Sequence, residues 1–160
     1  MRPVLLRTLA TAAVALPFAA GAAATPPSTA EEGTEVMSFT DPDIVESSGL
    51  AVVGGRFVTI NDSGDSGRVF AVDPATGDTV GVTSWTPDPV DVEAVAPAYV
   101  DGDAASEVWV GDIGDNRGVR DSVEVLRVPV GWEDAAAEPA RYALRYADGP
   151  RDAESLLVVP

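Results

Sequence analysis

The chain has 160 residues, of which 26 are acidic and ten basic, giving a net charge of −16, and it contains neither cysteine nor histidine. Charge of that sign repels nucleic acid and anionic membrane surfaces, and favours cations, cationic ligands or plain solubility. The missing residue types exclude disulfide staples, thiolate or imidazole metal ligands, and a Ser-His-Asp triad within these residues.

The chain opens with Met1-Arg2-Pro3 and Arg7, followed by an Ala/Leu/Val-rich run from Thr8 to Ala20. Ala22 and Ala24 before Thr25 then fit an A-x-A cleavage site. A basic start, a short apolar middle and a small-residue exit make residues 1–24 a secretory signal peptide. The alternative is an uncleaved anchor, against which Pro17 and the many small residues argue. With no cysteine for a lipid anchor and no twin arginine, the expected product is secreted, extracellular or periplasmic, and free of the membrane after cleavage. Both arginines of the signal leave with it, so eight arginines face 26 acids and the net charge becomes −18; no lysine is present. Residues 25–40, opening on a Pro, Thr, Ser and Glu-rich stretch, read as a disordered leader.

From 41 to 160 the pattern becomes one of short apolar runs bounded by Gly, Pro, Asp and Asn. Strands are expected at Gly49–Val53, Arg56–Ile60, Arg68–Val72 and Val80–Ser84, and again at Glu93–Pro97, Glu107–Val110, Val123–Pro129 and Arg141–Tyr146. Gly54-Gly55 signals a tight hairpin, and Asp73-Pro74-Ala75-Thr76-Gly77 a turn. No stretch holds a helical period, although Trp132 to Pro139 has room for one helical turn. The fold class is all-β.

The two sets of four strands repeat each other. Glu46-Ser47-Ser48-Gly49-Leu50 opens the first, Asp91-Val92-Glu93-Ala94-Val95 the second, and Asp152-Ala153-Glu154-Ser155-Leu156 a third. The three glutamates lie 47 and 61 residues apart. Four strands per unit at that period indicate a β-propeller. The expectation is a partial propeller of two four-stranded antiparallel blades plus the first strand of a third. Two blades cannot close a ring of four to eight, so 41–160 reads as the N-terminal part of a longer propeller domain. A β-sandwich with accidental repeats is the alternative.

In an antiparallel meander the start of strand one and the end of strand two share one end of the sheet. The Glu-led openings should therefore meet the polar turns Asn61-Asp62-Ser63-Gly64-Asp65 and Gly111-Asp112-Ile113-Gly114-Asp115-Asn116. In a propeller that end is the mouth of the central channel, a concave position suited to a ligand. The candidate metal ligands are Glu46, Asn61, Asp62, Asp65, Glu93, Asp112, Asp115, Asn116 and Glu154. An all-oxygen set suits a hard divalent cation, calcium first, with magnesium or manganese behind it. The competing view is that each turn is an ordinary Asx-turn with its carboxylate capping backbone amides. Arg68, Arg117, Arg120 and Arg151 lie beside these turns. They are candidates for gripping a phosphate or carboxylate substrate, or else ion-pair partners that relieve acidic crowding. Of the three tryptophans, Trp109 is the one expected to be buried, since it lies inside a strand. No glycine-rich phosphate loop is present, so any catalysis would use a carboxylate base or metal-bound water.

The motifs Ile44-Val45-Glu46-Ser47-Ser48-Gly49-Leu50-Ala51, Asn61-Asp62-Ser63-Gly64-Asp65, Gly111-Asp112-Ile113-Gly114-Asp115-Asn116 and Asp148-Gly149-Pro150-Arg151-Asp152-Ala153-Glu154 together resemble a family of secreted bacterial β-propeller proteins of largely uncharacterised function. In layout they are distantly similar to phytase-like and gluconolactonase-type propellers. That resemblance implies calcium at the channel mouth and a metal-dependent phosphoester or lactone hydrolase acting on a small molecule. The alternative is a non-catalytic extracellular module that binds a ligand or a protein.

Overall fold

The short β-branched runs become strands, and their order in the sheets follows their order in the chain with one exception. A computed structural model describes residues 33–100 and 103–159. The signal peptide and most of the leader lie outside the described residues. Among those described there are nine strands and no helix: β1 (Ser47–Val53), β2 (Arg56–Asn61), β3 (Arg68–Val72), β4 (Thr79–Ser84), β5 (Val92–Val100), β6 (Asp103–Asp112), β7 (Val123–Pro129), β8 (Ala135–Ala136) and β9 (Ala140–Leu144). They form two sheets, ordered β1-β2-β3-β4-β8 and β5-β6-β7-β9.

Apart from β8, each sheet is an antiparallel meander set by local turn chemistry. Between β1 and β2 the chain reverses over Gly54 and Gly55, whose φ angles are 55° and 76°, with Val53 opposite Arg56. Two consecutive positive φ values match the twist of a two-residue hairpin, and glycine adopts them without a Cβ clash. Period-two alternation then decides which side chains turn inward. In β1, Ala51 and Val53 are buried while Leu50 and Val52 are exposed.

One apolar layer joins the two sheets. Val53, Val58, Ile60, Val69 and Trp85 from the first sheet cluster with Val95, Val108, Val110, Leu126 and Val128 from the second. Each such fully buried aliphatic side chain contributes about 1.5–3 kcal/mol of transfer free energy. The leading strands β1 and β5 run close together at this seam. A Cβ at Gly49 would lie 2.8 Å from the backbone nitrogen of Val95, and Ser48 Oγ donates to the carbonyl of Glu93 at 3.3 Å.

Three expectations give way. Trp132 to Pro139 contains no helical turn; Ala135–Ala136 instead pairs in parallel with Thr83 and Ser84 as the fifth strand of the first sheet. An open β4 edge has unmet backbone donors and acceptors. The crossover meets them: Ala137 N donates to Ser84 O at 2.8 Å and Val82 N donates to Asp134 Oδ1 at 3.0 Å. Residues 152–158, expected as the first strand of a third unit, pair in no sheet. The segment packs Ala153 and Leu156 against Ala94, Ile113, Val123 and Val125 on the second face of the β5–β9 sheet. Finally, Trp85 rather than Trp109 is the buried tryptophan. Trp109 projects on that second face, where it meets the Tyr142 ring at 5.4 Å.

Candidate metal centre

The meander brings the beginnings of β1 and β5 beside the ends of β2 and β6. Ser47 pairs with Asn61, and Val92 with Asp112. At this end Asp62 leaves β2, Asp91 and Glu93 flank the first residue of β5, and 113–116 leave β6. Residues 152–154 cross the same place, held by the Ala153 N–H bond to Ile113 O.

Two groups of carboxylates result, and Glu93 belongs to both. Asp62, Asp91 and Glu93 bring oxygens within 4.8 Å of one another, as do Glu93, Asp152 and Glu154. Two oxygens bound to one calcium ion at about 2.4 Å can be no more than about 4.8 Å apart, so either group is compact enough for a single ion. Two of these acids are enclosed, whereas Asp62 is half-buried and Asp152 and Glu154 are exposed. Asp91 is 8% exposed and Glu93 7%. Asp91 Oδ1 is buried and has no hydrogen-bond partner, whereas Asp91 Oδ2 accepts a 3.3 Å bond from Asn116 Nδ2.

Gly114 makes this packing possible. A Cβ there would stand 2.5 Å from both Asp91 Oδ2 and Glu93 Oε1, so the two carboxylates occupy the space a side chain would fill. Gly114 N donates to the Asp91 carbonyl at 3.1 Å, which fixes the turn against the start of β5. Crowded acids without a counter-charge hold a proton. Burial, then the carboxylates of Asp62, Glu154 and Asp91 and a hydrogen bond with Glu154, push Glu93 from 4.5 up to about 7.

Of the nine expected ligands, Asp62, Glu93 and Glu154 fall in these groups. The Asn116 amide touches Asp91, as described. Four of the remaining five are engaged nearby. Asn61 Oδ1 accepts from the backbone of Val45 and Glu46, and its Nδ2 donates to Asp43 O and Asp65 Oδ2. Asp65 receives Arg68 Nε at 2.8 Å. Burial pushes its carboxyl up, but the Arg68 and Asn61 hydrogen bonds outweigh this and hold it below the usual range. Asp112 accepts from Val90 N and Asp91 N and pairs with Arg120 at 2.8 Å. Asp115 caps the following turn, accepting from Val119 N at 2.9 Å and Arg120 N at 2.8 Å. The Val119 bond is the main reason its carboxyl lies below the usual range. Glu46 is exposed and belongs to neither carboxylate group.

Asp91 and Asp152 complete the groups without having been anticipated. Their signal is the spacing Asp-x-Glu in Asp91-Val92-Glu93 and Asp152-Ala153-Glu154. Two residues apart on an extended chain, both carboxylates point to one side. The first unit has Ile44 where the others have aspartate, and Glu46 correspondingly stays apart.

Three of the four candidate arginines are paired: Arg68 with Asp65 and Asp43, Arg120 with Asp112, and Arg151 with Asp148. Arg117 makes no ion pair or side-chain hydrogen bond among the described residues.

Fold and site thus define an all-β protein with two joined sheets, at one end of which acidic groups centred on the buried Glu93 could hold a metal ion. No protein-family model, curated protein or solved structure matches the chain. No helix among the described residues is long and apolar enough to cross a membrane.

Proposed function

We propose that this is an exported β-propeller protein whose two sheets are neighbouring blades and whose clustered carboxylates bind a divalent cation, calcium before magnesium or manganese. The observation that carries the reading is Asp91 Oδ1, a buried carboxylate oxygen without a donor beside two further carboxylates. Buried polar atoms are ordinarily satisfied, and a charged one left bare is costly. A hard cation satisfies all three acids together. Asp62, Asp91 and Glu93 would hold it, with Asp152 and Glu154 on the far side of Glu93. The blade assignment is supported by the close passage of β1 and β5 and by the meander order within each sheet.

Calorimetric titration of the chain with calcium tests the reading. One-site binding that is abolished in Asp91→Asn supports it; no heat, or unchanged affinity in the variant, overturns it. The resemblance to phytase-like and gluconolactonase-type propellers extends the proposal to hydrolysis of a phosphoester or lactone, in which the cation would supply a Lewis acid. The non-catalytic extracellular module is favoured by a different observation: Asn61, Asp65, Asp112 and Asp115 are fully occupied in capping and ion pairing. Turnover of a phosphoester or lactone panel that is lost in Glu93→Gln selects the enzyme; calcium binding without turnover selects the module.

A further inference from the structure

Arg117 is the odd member of its set. The neighbouring arginines neutralise specific aspartates, while its guanidinium stands free at the tip of the turn that follows Gly114. That turn walls a cleft of about 370 Å³ that Asp91 also lines, so a ligand in the cleft lies between the carboxylate cluster and an uncommitted positive charge. Ser63, from the turn after β2, lines the same cleft. The two polar turns singled out in the sequence therefore both contribute to one opening. Its flanks are apolar: Val90 and Val119 line it while remaining 65% and 69% exposed.

We infer that this cleft binds a small organic oxyanion, a carboxylate or a phosphate monoester. Its charged head bridges Arg117 and the cation held at Asp62, Asp91 and Glu93, and its apolar body lies between Val90 and Val119. The inference rests on the proposed cation site and adds the class of ligand. Three carboxylates leave a calcium ion short of its six to eight oxygens, and Asp91, which lines the cleft, connects the group to it. Without the cation the acids repel an anion. With it, the ion and the guanidinium offer two positive groups to one oxyanion, and the planar fork of arginine suits either head. Asn116 and Ser63 add a carboxamide and a hydroxyl at the walls. Two exposed valines facing one gap give an organic substituent apolar surface that free phosphate does not use.

The test is calorimetry on the full chain with phenyl phosphate, benzoate and inorganic phosphate, each with saturating calcium and with chelator. Phenyl phosphate or benzoate should bind only when calcium is present. Arg117→Ala should weaken that binding roughly tenfold or more, the loss expected for a charge-assisted hydrogen bond, while calcium affinity stays within about twofold. Val119→Ser should weaken the aromatic ligands and leave inorganic phosphate unchanged. Which of the two aromatic probes binds more tightly identifies the head group. Calcium binding with no oxyanion binding overturns this inference and leaves the cation site standing. Oxyanion binding that is equal in chelator, or unchanged in Arg117→Ala, overturns it too. Failure of calcium itself to bind removes both readings.

Discussion

The carboxylate cluster should make the metal-free protein lose stability as the pH rises from about 4.5 toward neutrality. Glu93 keeps its proton in the folded state up to about 7, against 4.5 for an ordinary glutamate. Between those values the native state binds more protons than the unfolded chain, so the stability this group contributes is complete below pH 4.5 and is lost as pH rises toward 7. The interval corresponds, at 1.36 kcal/mol per pH unit, to roughly 3 kcal/mol, or a fall in Tm on the order of 10 °C for a domain of this size. The window is free of interference: the chain has no histidine or cysteine. The carboxyls held low, Asp41, Asp65, Asp78 and Asp115, contribute stability that disappears only in acid. Thermal unfolding in chelator, followed by circular dichroism at half-unit steps from pH 4.5 to 8, measures the slope. Glu93→Gln, which stays neutral, should flatten it. Saturating calcium should reverse it, because binding displaces the proton; at a hundred times Kd the ion adds about 2.7 kcal/mol. A metal-free Tm that is level or rising across this window, or a slope that survives in Glu93→Gln, would refute the reasoning.

Gly114→Ala should weaken calcium binding roughly tenfold or more by calorimetry, since its Cβ would press to 2.5 Å on Asp91 and Glu93 and a well-packed site yields only at a cost. Affinity within twofold of the parent would show that those carboxylates do not hold the ion. Arg120→Met leaves Asp112 buried without its partner, which should cost about 3–5 kcal/mol in urea unfolding; a loss below 1 kcal/mol would mean that the backbone donors suffice. Asp134→Ala removes the acceptor for Val82 N and should cost about 1 kcal/mol. Hydrogen exchange should show the Val82 amide opening faster, while β6 and β7 remain protected.

The strands were legible because their signals are local. Gly54-Gly55 specifies a tight reversal wherever it sits between apolar runs, and alternation in Val108-Trp109-Val110 marks a half-buried strand without knowledge of its neighbours. What the sequence could not display was pairing between distant segments. Ala135 and Ala136 carry the composition of a helical turn, yet the β4 edge 52 residues earlier captures them in a parallel bridge. Trp109 looked like core because it lies within a strand. Which face of the β5–β9 sheet is covered depends on the other sheet, and that sheet covers the side bearing Val108 and Val110.

The site was legible in part for the same reason. The meander rule located the end of the sheets where acids gather, and Asp62, Glu93 and Glu154, which it named, have oxygens in the two groups that share Glu93. It could not rank the carboxylates by their partners, because that depends on which backbone amides and arginines each one meets. Asp112 and Asp115 fall where turn amides and Arg120 satisfy them, so their charge is spent within the fold. Asp91 lies two residues before Glu93 on the same side of the chain and against a glycine, so one of its oxygens meets no donor. A carboxylate freed of structural duty by its surroundings, rather than one merely present in an acidic motif, is the feature that separates a candidate ligand from a cap. In this chain the Asp-x-Glu spacing, with glycine opposite, creates it.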